Sequence, residues 1–277
     1  MTILVSNANG KVGQEVAKAL LAKGEKVRIG ARHVEKAKAA FPHAEIVELD
    51  LTKPATLAAA VRGADAVFSA TPYELLPAGE EALIAAAKAA GVKRYVKLSA
   101  KGVEANPASP HVLAEKTLAA SGLGWTILRP TFFAQNYSTM SAGSIRSGAI
   151  YEPAGTGATS FVDTRDIADV AVEALTKPGH EGKDYALTGP AALTRAEVAA
   201  EISKAIGKPV VYVEVDDAAL RGAMAGAPPT LIELMSSLFG FVRQGYTAGV
   251  TDDITKVTGK PARSFAAFAA DHASVWK

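Results

Sequence analysis

The segment Ile3-Leu4-Val5-Ser6-Asn7-Ala8-Asn9-Gly10-Lys11-Val12-Gly13 joins a short apolar run to a glycine-containing turn at the mouth of a helix. Ile3-Leu4-Val5 is continuously apolar and too short for a helix, as expected of a strand covered on both faces. Val12, Val16, Ala19 and Leu20 then recur at helical spacing up to Lys23, and Gly24 sits just past the helix end. Gly10 and Gly13 fit the last two glycines of GxxGxxG. The first lets a backbone approach a pyrophosphate, and the second lets the helix pack tightly on the strand. Asn7 stands in the first glycine's place, and asparagine is one of the few other residues that enter positive φ at modest cost. A GxxG alone equally marks an ordinary loop before a helix. Its place after the first strand of a β-α-β series points to a dinucleotide phosphate site. Asn7, Asn9, Gly10, Lys11, Val12 and Gly13 are expected to form it.

Outward from this segment the alternation repeats. Val27-Arg28-Ile29, Ala44 to Leu49, Ala66-Val67-Phe68, Tyr95-Val96-Lys97-Leu98 and Thr126-Ile127-Leu128 are strand-like. Helical stretches lie between them at 34–40, 54–61, 79–90 and His111 to Ala120. This predicts an α/β fold, a Rossmann-type doubly wound parallel sheet over residues 1–130. Past Pro130 the rhythm breaks in Gly- and Ser-rich stretches at 141–148 and 154–160. A helix over 164–176, within a segment of about 156–178, is expected to return to the sheet. The rest of 131–277 is expected to form a smaller C-terminal α/β substrate lobe over the carboxyl ends of the sheet. It holds strands near 183–187 and 209–214, a helix from Thr194, and helices around 217–225, 229–239 and 264–274.

Composition narrows the function. Of 277 residues, 49% are hydrophobic and 21% charged, enough to bury a sizeable core. A formal net charge of +2 gives no electrostatic case for nucleic acid as a partner. With no cysteine, disulfides, thiolate catalysis and cysteine-ligated metals are excluded. His33, His43, His111, His180 and His272 are scattered without metal-binding spacing, so no metal is expected. There is no signal-like N-terminus and no apolar run near the roughly 20 residues that span a membrane, so a cytoplasmic protein without membrane partners is expected.

The second strand ends Ile29-Gly30-Ala31-Arg32-His33, without the acid that would bind a ribose 2′-hydroxyl. Arg32, with Arg28, His33 and Lys36 nearby, is a candidate partner for a 2′-phosphate, or else a solvated basic turn. The expected cofactor is therefore NADP(H). Asp50 and Leu51 after the third strand, and Ala70, Thr71 and Pro72 after the fourth, are further candidate cofactor contacts. For Asp50, a turn or capping role is an equal alternative.

These residues resemble the NmrA-like branch of the atypical short-chain dehydrogenase/reductases, over nearly the whole chain. Further marks are Gly63-Ala64-Asp65-Ala66-Val67-Phe68, Gly91-Val92-Lys93-Arg94-Tyr95-Val96, Thr126-Ile127-Leu128-Arg129-Pro130, Phe161-Val162-Asp163-Thr164-Arg165-Asp166-Ile167-Ala168 and Leu187-Thr188-Gly189-Pro190. The resemblance implies an NADP(H)-binding domain with a small substrate lobe. It also implies kinship with quinone reductases, other small-molecule reductases and silent dinucleotide sensors.

Short-chain reductases commonly use Ser…Tyr-x-x-x-Lys, the tyrosine acting as acid. Lys116 matches the lysine and Ser99 the serine, but the tyrosine position is Val112. Hydride addition to a ketone makes an alkoxide that needs a positioned acid, whereas a quinone yields a phenolate of pKa about 10. The missing tyrosine therefore favours a quinone-like or similar conjugated aromatic acceptor. It is also compatible with a non-catalytic NADP(H) sensor, or with an enone, imine or ketone reductase using another acid. His111 is a candidate substitute acid, or a partly exposed first-turn residue. Lys116 is a catalytic and ribose-side candidate, or a surface lysine. Tyr73, Phe132, Phe133 and Asn136 are candidate substrate contacts, with ordinary packing as the alternative. A homodimer is compatible with the sequence.

Overall fold

The computed structural model describes all residues from Met1 to Lys277. The first stretch runs β1 (Thr2–Ser6), α1 (Lys11–Ala22), β2 (Lys26–Ala31), α2 (Val34–Ala40), β3 (Glu45–Glu48), α3 (Pro54–Val61), β4 (Ala66–Ser69), α4 (Ala78–Ala89), β5 (Arg94–Leu98), α5 (Pro110–Ala119) and β6 (Gly124–Pro130). Next come α6 (Gln135–Thr139), α7 (Ala142–Arg146), β7 (Ala149–Glu152), α8 (Thr164–Thr176) and β8 (Lys183–Leu187). The chain ends with α9 (Arg195–Ile206), β9 (Val211–Glu214), α10 (Asp217–Ala223), α11 (Pro229–Arg243), α12 (Asp253–Thr258), α13 (Phe265–Asp271) and α14 (Ala273–Trp276). No helix is long and apolar enough to cross a membrane.

Two compact units result. The first comprises Met1–Pro130, Thr164–Leu187 and Lys256–Gly259; the second comprises Thr131–Asp163, Thr188–Thr255 and Lys260–Lys277. The first unit is built on a seven-stranded sheet of order β3-β2-β1-β4-β5-β6-β8, parallel throughout. It is a Rossmann-like α/β sheet. Ile3, Leu4 and Val5 of β1 are fully buried, as a strand covered on both faces requires. On one face Leu4, Val67, Tyr95 and Ile127 pack against Leu57, Leu83 and Leu118 of α3, α4 and α5. Burying each such leucine contributes roughly 2 kcal/mol. Helix α1 buries Val12, Val16 and Leu20, and its last turn is tied to α8 by Lys23–Glu173 at 3.0 Å.

The strand over 183–187 corrects the sequence expectation. It lies in the main sheet, not in a separate lobe, because β8 pairs in parallel with β6 from Thr126↔Lys183 to Pro130↔Leu187. The expected helix over 264–274 is also interrupted, at His272 between α13 and α14.

In the second unit, Tyr137, Phe161, Phe265, Phe268 and Trp276 form an aromatic core, with β7 and β9 paired in parallel. Tyr137 meets Phe161 and Phe265 edge-on at 5.4 and 5.6 Å, an arrangement that suits the ring quadrupoles. Buried Arg195 bonds Glu152 at 2.8 Å and Thr159 at 2.7 Å, and its guanidinium covers Phe161.

The order of strands reverses between β1 and β4, and ligands bind in such folds in the crevice outside the carboxyl ends at this point. The turn after β1 fills this position. Asn7 has φ 51°, its carbonyl accepts from Gly10 N at 2.8 Å, and its amide donates to Ala70 O at 3.1 Å. Ser6 Oγ accepts from Ala70 N at 3.0 Å, so two side chains fasten the turn to the end of β4. A Cβ on Gly13 would lie 2.4 Å from Asn7 O, so only glycine lets α1 start here. Gly→Ala within a helix normally stabilises by about 1 kcal/mol. Here Gly13→Ala is expected to destabilise by about 1–3 kcal/mol through overpacking against backbone. Urea titration would measure this, and an unchanged or raised midpoint would refute the close approach.

Candidate dinucleotide and acceptor site

The expected phosphate residues come together in one turn and the start of α1. Gly10 is the N-cap and offers no side chain; the first turn holds no acid, and Lys11 opens the helix. The first N–H groups of a 12-residue helix are thus left without a side-chain cap, at the positive end of its dipole. That donor set fits a dinucleotide pyrophosphate. Asn9 is exposed, Val12 and Gly13 are buried, and partial burial lowers the pKa of the Lys11 amine.

Arg32 lies just beyond β2 and is exposed, with His33 and Lys36 exposed beside it. Arg28 does not join them. It pairs with Glu45 at 2.7 Å and donates to the carbonyls of Ala60 and Arg62, so its charge is spent within the fold. Asp50 adopts the turn role. Its carboxylate accepts from Thr52 N at 3.0 Å and Thr52 Oγ1 at 2.7 Å, bonds that lower its pKa. Leu51 packs over Gly79, where a Cβ would meet it at 3.1 Å. Pro72 leads into a short turn of 3₁₀-helix over Tyr73–Leu75.

Beneath Ala70-Thr71-Pro72 lies a network that the sequence analysis missed. Glu80 is fully buried and accepts from Ser69 at 2.8 Å, from Tyr95 at 2.9 Å and from Thr71. Lys97, also fully buried, places Nζ 4.0 Å from Glu80 and donates to Leu98 O at 3.2 Å. Burial first, and then the Glu80 charge, raise the Tyr95 pKa well above its ordinary value. One sequence signal pointed here: a lysine inside the apolar run Tyr95-Val96-Lys97-Leu98 of a doubly covered strand.

Helix α5 carries the expected active-site positions 111, 112 and 116. Ala114, Glu115 and Leu118 face inward, whereas Lys116 is exposed. Ser99 donates to Glu115 instead, and Glu115 is also held by Arg129 at 2.7 Å. Burial pushes Glu115 up, but hydrogen bonds from Arg129 and Ser99, with the Arg129 charge, outweigh it and leave the pKa lowered. Val112 is buried, so no acid occupies the tyrosine position. His111 is half-buried, with its ring 6.0 Å from that of Tyr73. Burial, reinforced by the Lys97 charge, lowers its pKa to about 4. With that pKa the ring is neutral at physiological pH.

Phe132, Phe133 and Asn136 belong to the second unit. Phe132 packs against Phe239 at 6.5 Å and under the Arg195 guanidinium at 5.9 Å; Phe133 bridges to Val162, and Asn136 is half-buried in α6.

Known proteins share this architecture. A family described as NAD(P)H-binding matches residues 8–178. The NAD(P)H azoreductase of Xenophilus azovorans is 42% identical over 99% of both chains. A (4-alkanoyl-5-oxo-2,5-dihydrofuran-3-yl)methyl phosphate reductase of Streptomyces griseus is 38% identical, again over 99% of both. The NADPH-dependent quinone oxidoreductase of Escherichia coli, solved with NADPH, superimposes with a TM-score of 0.85 at 27% identity, covering 98% of this chain and 99% of that one. With the family match over residues 8–178 and relatives similar over nearly the whole chain, this protein belongs to the NAD(P)H-binding family, in the NmrA-like branch of the short-chain dehydrogenase/reductases.

Proposed function

We propose that the protein is an NADPH-dependent reductase that transfers hydride to quinones and similar conjugated acceptors. The observation that carries this is the lack of a proton donor in the tyrosine position of α5: Val112 is buried there, His111 is neutral at pH 7, and the Glu115 carboxylate is held ionised by Arg129 and Ser99. A product that is a stable anion does not need such an acid. The azo, butenolide and quinone groups in the relatives' names are all conjugated acceptors, which supports the same class.

Bound NADPH supplies a hydride; a quinone accepting it becomes a hydroquinone monoanion, which takes one proton from water. The chain's own part is alignment. The turn at Asn7–Gly10 and the first N–H groups of α1 would hold the pyrophosphate. Arg32 would take the 2′-phosphate by charge-assisted hydrogen bonds. Ala70, Thr71 and Pro72, braced from below by Glu80, would flank the dinucleotide at the end of β4.

Two outcomes are expected. Arg32→Ala should weaken NADPH binding about 10- to 100-fold and NADH binding less than threefold, the scale of a lost charge-assisted contact. Titration calorimetry with each dinucleotide checks this, and equal losses would remove Arg32 from the 2′-phosphate. Turnover of a quinone should also stay flat between about pH 5.5 and 7.5, because the only histidine on α5 titrates lower, at about 4. A step centred near pH 6.5 in kcat would contradict the absence of a titrating acid.

A further inference from the structure

The protonation of His111 has a geometric consequence. Its Nδ1 is enclosed and has no hydrogen-bond partner, whereas Nε2 of this half-buried ring is not enclosed in the same way. The groups that bear electrostatically on the imidazole are Lys97 from β5, Glu80 from α4 and Glu115 from its own helix, with the Tyr73 ring beside it. A proton on Nδ1 would bury an N–H with no acceptor in the field of a buried ammonium, which is costly. A lone pair on Nδ1 is favoured by that same field, so the ring proton belongs on Nε2.

We propose that His111 is a substrate-binding residue whose neutral Nε2–H donates a hydrogen bond to a carbonyl oxygen or azo nitrogen of the acceptor, alongside the Tyr73 ring, and that Lys97 is the positioning residue that fixes this tautomer. The inference rests on the reductase reading above and specifies its acceptor site. The bond draws electron density toward the acceptor's heteroatom as hydride arrives, and no proton leaves the ring. Burial, then the Lys97 charge, hold the imidazole at about 4, so the donor persists through neutral pH. Glu80, by anchoring Lys97, keeps that charge in place.

The test uses the full chain with NADPH and 1,4-naphthoquinone. His111→Phe should lower kcat/KM for the quinone about 10- to 100-fold while NADPH affinity stays within about twofold, as expected for one lost polar contact. His111→Gln, which keeps an N–H donor, should recover at least about a third of the activity. A His111→Phe enzyme within twofold of wild type, or a His111→Gln enzyme no better than it, overturns the contact. Should the phenylalanine variant fail to fold, nitrogen-15 NMR of the wild-type ring decides: the Nε2–H tautomer with a midpoint about 4 supports the assignment, and a protonated Nδ1 or a midpoint near 6.5 overturns it. Lys97→Met should raise the midpoint by at least about one unit and give quinone turnover a pH step there; an unmoved midpoint removes Lys97 from its role. Wild-type inactivity on every quinone and azo acceptor would end the reductase reading and the acceptor contact together, while the tautomer and the Lys97 shift would still be read independently.

Discussion

The turn at Asn7 is the constraint on which the rest depends. A sheet whose strand order runs outward in both directions from β1 and β4 opens a crevice beyond their carboxyl ends, but the crevice is useful only if the chain turns sharply enough to aim α1 into it. Asn7 does this with a left-handed backbone, and its amide bonds Ala70 O, which glycine cannot do. Its carbonyl both closes the turn onto Gly10 and lies against Gly13. One residue therefore sets the turn, its distance to β4 and the approach of the helix. Asparagine gives up some of glycine's ease at positive φ and gains a fastened loop with less freedom to lose when a pyrophosphate binds.

The frame was legible because strands covered on both faces must be apolar runs, and the helices between them carry their own period. Helices α2, α3 and α8 fall where the pattern puts them. Strand β8 was misplaced because Lys183-Asp184-Tyr185 is polar and carries no sign of its partner; it is the sheet edge, where one side meets no strand. The same limit governs the site. Arg28 reads as a phosphate ligand until β3 brings Glu45 into register with it. Lys116 stands at the family spacing and is exposed on α5, where Ala114 and Leu118 are buried. His111 is a near-neutral titrating group by composition and a neutral donor by environment.

The buried pair of Glu80 and Lys97 cannot be explained as a stabilising feature alone. Withdrawing each ion from water costs several kcal/mol, and their separation of 4.0 Å is loose for a pair meant to repay that. Glu80 is well satisfied by Ser69, Thr71 and Tyr95, whereas Lys97 has one backbone acceptor besides the carboxylate. The arrangement therefore leaves a positive field at the carboxyl ends of β4 and β5. Burial first, and then the Lys97 charge, keep the neighbouring imidazole neutral against the opposing charges of Glu115 and Glu80, and the same ammonium favours an anion forming nearby.

That field bears on which acceptors the site can serve. An alkoxide formed by hydride addition to a simple ketone is about as basic as hydroxide, whereas the conjugate acid of a hydroquinone monoanion has a pKa of about 10. The gap of roughly 6 pKa units is worth ~8 kcal/mol of proton affinity. One neutral hydrogen bond contributes about 0.5–1.5 kcal/mol net, and even a preorganised donor contributes roughly 3–4. Neither His111 nor the Lys97 field can close the gap for a ketone, but both suffice to steer an acceptor whose own conjugation holds the charge. Replacing an acid with Val112 and a neutral donor thus selects by the electronics of the acceptor more than by its outline.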